Sequence, residues 1–254
     1  MEKSLKWAAV LAMAVALPCA ALAAEAPATT RIMVTISNLK PGKADEWSKA
    51  IKDTVVPALK KAGIPWYGVS EQLFGDRPVY ATVRPLEKFA ELDGPGALER
   101  AGLTQKQRDA FSAITDDSMV SQKRFIANVQ NEFNVPLTGP APIRIVTVLR
   151  ANPGQGEALQ ALFRTDVLPA IRQAKQAGRI AGFGLATTGQ GNPGLTVVWV
   201  DYPNLAALDA GNMLSQTMGA PAYALFLARV AQLAVVEDTI VQRQVAELSY
   251  APAN

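Results

Sequence analysis

Histidine is absent from all 254 residues, and the only cysteine is Cys19. Without histidine there is no imidazole-ligated haem, no common zinc site and no Ser-His triad. With its cysteine confined to the first twenty residues, the body of the chain has no disulfide, thiol nucleophile or thiolate metal site. Charge is also sparse, at 19% of residues, with both signs interspersed and a net charge of +3. The nearest approach to a basic cluster, Lys123-Arg124, has no continuation, so no nucleic-acid partner is expected. After the first twenty-odd residues no apolar run is long enough to span a bilayer, so no membrane span is expected.

What is present begins with an export-type leader. Lys3 and Lys6 give a positive start, residues 7–17 an apolar run, and Ala21-Leu22-Ala23 a small-residue cleavage site. This predicts a signal peptide over 1–23, cleavage near Ala23, and a periplasmic or secreted protein. Pro18 stands before Cys19 where a lipid-attachment site wants a small residue, which disfavours lipidation. Loss of residues 1–23 removes Lys3, Lys6 and Glu2 and leaves a net charge of +2.

The remainder is written twice. Val34 to Gly63 and Val146 to Gly178 share an apolar strand, a Pro-Gly turn and an amphipathic helix, with Pro57 and Pro169 at a constant offset of 112. In residues 31–37, Ile32, Val34 and Ile36 alternate with Met33 and Thr35, the period of a half-buried strand. Trp47, Ile51, Val55, Ala58 and Ala62 form one apolar helical stripe. Leu159, Leu162, Val167, Ala170 and Ile171 form its counterpart. An interior proline removes a helical hydrogen bond, so each helix is expected to kink. Strands are predicted over 66–74, 79–84 and 119–133, and again over 143–149, 180–187 and 195–200. Thr104 is expected to cap a helix over 104–114, and Asn152 to cap the second long helix. Residues 108–120 align with 229–241 at an offset of 121, which sets Asp116-Asp117 opposite Glu237-Asp238. The string is β-α-β-β-α-β twice, over 31–135 and 143–250, joined by a Pro-rich linker at 136–142.

This element order, with its Pro-Gly turns, resembles the dimeric α/β-barrel superfamily of ferredoxin-like units. Tyr202-Pro203-Asn204-Leu205 is similar to the NIPSNAP-like branch. The resemblance implies an α+β fold in which two four-stranded sheets close an eight-stranded pseudo-dimeric barrel, with the barrel interior as the candidate pocket. It also implies a field of activities: cofactor-free oxygenases, isomerases and lyases of hydrophobic molecules, haem enzymes that use a histidine this chain lacks, and proteins without assigned activity. Each sheet has helices on one face only, so its other face needs cover, which supports the barrel independently.

Four motifs are weighed on this frame. Gly189-Gln190-Gly191-Asn192-Pro193-Gly194 matches G-x-G-x-x-G, but a strand follows where dinucleotide binding needs a helix, so it reads as a hairpin loop. Pro41-Gly42-Lys43 lacks the rest of a phosphate-binding loop and reads as a turn. The paired carboxylates lack convergent oxygen partners, so no metal is expected, and no cofactor either. Trp66, Tyr67, Tyr80, Phe183 and Trp199 lie on middle strands, where each faces either the helices or a pocket. With Arg84 they are the candidate ligand-binding residues, and Thr35 and Thr147 could help to orient a ligand. Glu71 and Tyr80 are the candidate acid–base groups, since burial could tune them. Three functions remain open: binding of a small, largely apolar molecule, cofactor-independent catalysis on one, or an interaction module with a filled barrel. Self-association would use the outer helices.

Overall fold

The computed structural model describes residues 29–137, 141–191 and 193–251. The predicted signal peptide and its cleavage point lie outside these residues, as does part of the predicted linker.

Eight strands close into one barrel in the order β1-β3-β2-β8-β5-β7-β6-β4. The first unit supplies β1 (Thr29–Leu39), β2 (Gly68–Gln72), β3 (Val79–Pro85) and β4 (Met119–Gln130). The second supplies β5 (Ile143–Ala151), β6 (Gly182–Thr188), β7 (Leu195–Tyr202) and β8 (Ala234–Gln244). Two short antiparallel seams join the units, β2 to β8 through Ser70↔Gln244 and β4 to β6 through Ala127↔Thr188. This is the expected α+β dimeric-barrel architecture, with both halves in one chain.

Helix α1 covers residues 44–61 and α4 covers 156–176. Each is continuous but contains one wide π-helical turn, Ile51–Val55 and Phe163–Val167. Val56 N–H reaches Ile51 C=O and Leu168 N–H reaches Phe163 C=O, a five-residue step. Pro57 and Pro169 follow directly and have no N–H to give, so the helix widens by a residue where a sharper kink was expected. Smaller helices are α2 (Ala97–Arg100), α3 (Gln105–Ser118), α5 (Met213–Met218) and α6 (Ala220–Leu233). Thr104 caps α3 as expected, its hydroxyl accepting from Gln107 N–H.

Two expectations change. Helix α4 begins at Gly156 and not at Pro153, because Asn152-Pro153-Gly154 form a turn and the Asn152 amide donates to Gln232 C=O. The 121-residue offset also fails. Thr35 pairs with Arg124, and its counterpart Thr147 pairs with Thr239, which fixes the structural offset at 115. Asp116-Asp117 therefore end a helix whereas Glu237-Asp238 lie within β8. Asp117 binds Lys43 at 2.6 Å, Glu237 pairs with Arg150, and the two acidic pairs are not equivalent.

The alternation in β1 sorts its side chains as expected. Ile32, Val34, Val83, Phe125 and Ala127 face the barrel interior, where they meet Ala186 and Trp199 of the second unit. The opposite face is covered by helices. In the second unit this layer is a continuous apolar core containing Leu159, Leu162, Ile171, Phe183, Leu185 and Phe226. In the first it is a smaller cluster around Leu39, Trp47, Leu59, Val69 and Tyr80. Among the described residues no helix is long and apolar enough to cross a membrane.

Candidate functional site

The helix-covered face of the first sheet is polar in a regular way. Its side chains form transverse rows fixed by strand register. Arg84, Met33 and Ile126 make one row; Val69, Thr82, Thr35 and Arg124 the next; Glu71, Tyr80, Ser37 and Gln122 the third. Tyr67 precedes the Gly68↔Val83 pair and so extends the first row beside Arg84. A strand face that is covered by helices normally carries apolar residues. Here Thr35, Thr82 and Ser37 are buried on it.

Above these rows lies a cavity of about 910 Å³, at the upper end of the size range for small-molecule sites. Its floor includes Met33, Thr35, Thr82, Arg84 and Arg124. Trp47, Ile51, Val55 and Leu59 of α1 form one wall, and Phe111 and Thr115 of α3 another. The wide turn of α1 thus stands over the cavity. Its outer lip is the chain from Glu91 to Arg100, and a shallower recess of about 420 Å³ adjoins it through Glu91, Gly94 and Arg100. The last wall comes from the other unit: Gln190 and Gly191, in the β6–β7 hairpin, line the first unit's cavity. That hairpin is held by Ile126 N–H donating to Gln190 C=O at 2.9 Å.

The electrostatics are set by burial. Desolvation pushes the Tyr67 phenol up to about 12, with the Thr82 hydroxyl and the arginines opposing. Tyr67 is therefore a protonated donor at ordinary pH. Desolvation also lowers the pKa of Arg84; Glu91 opposes this, while Arg100 and Arg124 reinforce it. Arg84 donates to Pro85 C=O at 3.1 Å, and Arg124 Nε donates to Thr35 Oγ1 at 3.3 Å. Glu91 is occupied as a cap, accepting from Lys88 N–H at 2.9 Å.

The sequence-predicted residues divide. Tyr67 and Arg84 line this cavity. Tyr80 lies under Trp47, ring centroids 4.7 Å apart, on the row with Glu71 and outside the cavity lining. Burial raises the Tyr80 pKa, opposed by the Ser48 hydroxyl, and Glu71 adds to the rise. Phe183 is sealed in the second unit's apolar core. Trp66 and Trp199 pack in the barrel interior, where Trp199 lies so close over Gly184 that a Cβ there would overlap its ring. The Arg144 guanidinium stacks 5.4 Å from the Trp199 ring and binds Asp201 at 2.7 and 3.1 Å. Aromatic side chains and this ion pair thus occupy the barrel interior that the resemblance had marked as the pocket, and the cavity described above lies outside it. Thr35 is on the cavity floor, whereas Thr147 faces the filled core of the second unit. Arg124, Gln122, Trp47 and Gln190 were not among the candidate site residues read from the sequence. The available signal was the run of polar residues on one face of a strand that is covered on both sides.

No protein-family model and no curated protein matches the chain. Solved structures do. A candidate monooxygenase from Fusobacterium nucleatum aligns over 85% of this chain and 93% of its own, with 12% identity and a TM-score of 0.58. An anthrone oxidase-like protein aligns over 86% and 92%, with 13% identity and a TM-score of 0.57. A haem-binding protein from Thermus thermophilus aligns over 86% and 92%, with 11% identity and a TM-score of 0.52. These likenesses establish the class, the dimeric α/β-barrel fold.

Proposed function

We propose that this protein binds a small, largely apolar molecule in the cavity between the first sheet and helices α1 and α3. One observation carries the reading: two units share one fold, and in the first a cavity is floored by Tyr67, Thr82, Arg84 and Arg124. At the matching register positions the second unit has Phe183, Val198, Val200 and Thr239. A recess with apolar walls and a few convergent donors is the usual form of a small-molecule site.

The second reading is a cofactor-independent oxygenase, isomerase or lyase acting on such a molecule. It draws support from the candidate monooxygenase and the anthrone oxidase-like protein among the similar structures. The Arg84 guanidinium and the Tyr67 hydroxyl are suited to stabilise a developing oxyanion. A general base is harder to find, because the chain has no histidine, Glu71 is outside the cavity lining, and the carboxylates that line it, Glu91, Glu99 and Asp116, are a turn cap and two exposed rim groups. Binding is therefore placed first.

A haem does not fit the donors present. Haem iron takes His, Cys, Met or Tyr ligands. The cavity offers one phenol held protonated up to about pH 12, Tyr67, and the weak thioethers of Met33 and Met119.

Export to the periplasm is part of the proposal and rests on Lys3, Lys6, the apolar run and Ala21-Leu22-Ala23. Kinship with the NIPSNAP-like branch rests on Tyr202-Pro203-Asn204-Leu205 alone. The test is native mass spectrometry of the full gene product purified from a periplasm without detergent. A mass excess of a few hundred daltons is expected, lost in Ala97→Met, which copies Met213 of the filled unit. A chain that begins near Ala24 would support export. No excess, with no thermal shift across a panel of apolar molecules, would overturn the binding reading.

A further inference from the structure

We infer that the ligand is an amphiphilic anion: an apolar body ending in a carboxylate-class head group, received by Arg84 and Arg124. This rests on the reading of the cavity as a binding site and adds the chemistry of what enters it.

Arg84 is half-buried on the cavity floor, yet among the described residues it makes no ion pair; its recorded partners are a backbone carbonyl and, at 4.0 Å, the Met33 sulfur. Arg124, one row along and nearer solvent, donates to the Thr35 hydroxyl and, among the described residues, makes no ion pair either. The contrast is Arg144 in the barrel, which meets Asp201 through two hydrogen bonds. A guanidinium withdrawn from water without a carboxylate is costly, and the cost falls when an anion arrives. The cavity's own acids form no ion pair with Arg84 or Arg124 among the described residues, although Glu91 favours the Arg84 charge from a distance. Glu91 caps a turn, and Glu99 and Asp116 are exposed at the rim. Tyr67, beside Arg84 and protonated, is a third donor for the same head group. The opposite wall, from Trp47 to Leu59 on α1, is apolar and suits the body of the molecule. A planar carboxylate matches the guanidinium fork, whereas a neutral amide or ester forfeits the charge assistance.

The experiment measures dissociation constants by isothermal titration calorimetry, on the full chain at neutral pH, for three matched pairs. These are dodecanoate and dodecanamide, 2-naphthoate and 2-naphthamide, and anthracene-9-carboxylate and its amide. At least one acid is expected to bind ten-fold or more tighter than its amide, with a gap that narrows in 0.5 M salt. The pair that shows it separates a fatty from an aromatic body. In Arg84→Gln/Arg124→Gln, checked for folding by circular dichroism, the gap should shrink below about three-fold, while amide binding changes little. Equal binding of acids and amides by the wild-type protein would overturn the anionic head group and leave the apolar cavity reading intact. A gap that persists in the double variant would overturn the assignment to these arginines. If no probe binds and the native protein carries no extra mass, both readings fail together.

Discussion

The two halves of this chain share a fold but fill it differently. Along the same row across the four strands the second unit presents Phe183, Val200, Ile145 and Val241 where the first presents Tyr67, Arg84, Met33 and Ile126. The helices follow the same trend. The position of Ala97 at the start of α2 is taken in α5 by Met213, which is buried in the second core. Thr115 of α3 corresponds to Val230 of α6, at the 115-residue offset. One unit thus supplies stability through a packed core, and the other keeps polar groups and space at matching positions. The filled unit serves as an internal control: features common to both units answer to the fold, and those confined to the first answer to the cavity.

The largest effects should come from truncating matched helix positions. Ile171 is wholly buried in the second core, and Leu59, its counterpart, borders the cavity. Ile171→Ala should cost about 4 kcal/mol, near the upper part of the range for buried aliphatic truncation. Leu59→Ala should cost about 2 kcal/mol, because that side chain already lacks neighbours on one side. Urea denaturation of both variants checks this, and equal losses would mean that the first unit is as well packed as the second.

Next comes an alkaline effect that the first unit alone should show at this position. A free tyrosine titrates near 10, while Tyr67 is pushed up to about 12. The folded protein keeps a proton that the unfolded chain releases. The stabilisation is complete below pH 10 and is lost as pH rises to about 12, a change of roughly 2–3 kcal/mol by linkage. Tyr67→Phe copies Phe183 and should flatten that slope, leaving the smaller contributions of Tyr80, Tyr202 and Tyr250, whose pKa values burial also raises. Stability measured by denaturation from pH 8 to 11.5 decides it.

The duplicated pattern made the architecture legible. The alternation of Ile32, Val34 and Ile36, the Pro-Gly turns and the recurrent proline gave element order, and element order implied the barrel. Two things were hidden. The first was the shift from a 112- to a 115-residue offset, because chemically similar acidic pairs aligned at a spacing the strand register does not use. The second was the place of the cavity. In sequence, Thr35 sits on the alternate face of a half-buried strand, and nothing local says that helices cover that face while leaving a gap above it. Tyr67 and Arg84 were picked as polar or aromatic strand residues; that they stand side by side follows from β2–β3 register, and β1 carries Thr35 to Arg124. The contribution of Gln190 and Gly191 could not be read at all, since it depends on how the second unit's hairpin docks on β4.

That hairpin gives the third comparison. Gly191 has φ +88°, and a Cβ there would stand 2.6 Å from the Arg124 carbonyl oxygen. The hairpin of the first unit, Gly75-Asp76-Arg77-Pro78, turns toward β8 through Leu73 N–H donating to Val241 C=O, but the core it adjoins is filled. Gly191→Ala should cost about 1–2 kcal/mol from the strained backbone. It should also weaken ligand retention in native mass spectra, because the strand edge it displaces carries Arg124. Gly75→Ala, also at positive φ, should lower stability without touching retention.

The smallest effect on stability is the most telling. Arg84→Val installs the residue that the second unit has at Val200. If Arg84 served the fold, its removal would cost stability as loss of a buried partner does. Yet among the described residues it makes no ion pair, and its burial disfavours its own charge more than Glu91 favours it. Replacing it with valine should therefore change stability by about 1 kcal/mol or less, in either direction. Over the same substitution, binding of the preferred apolar carboxylate should fall at least ten-fold. A variant that is much less stable would make Arg84 a structural residue and remove the contrast between the units at that position. A variant that is equally stable and no longer retains the acid would mean that the first unit holds a charge its fold does not need, which is the expected mark of a group kept for a ligand.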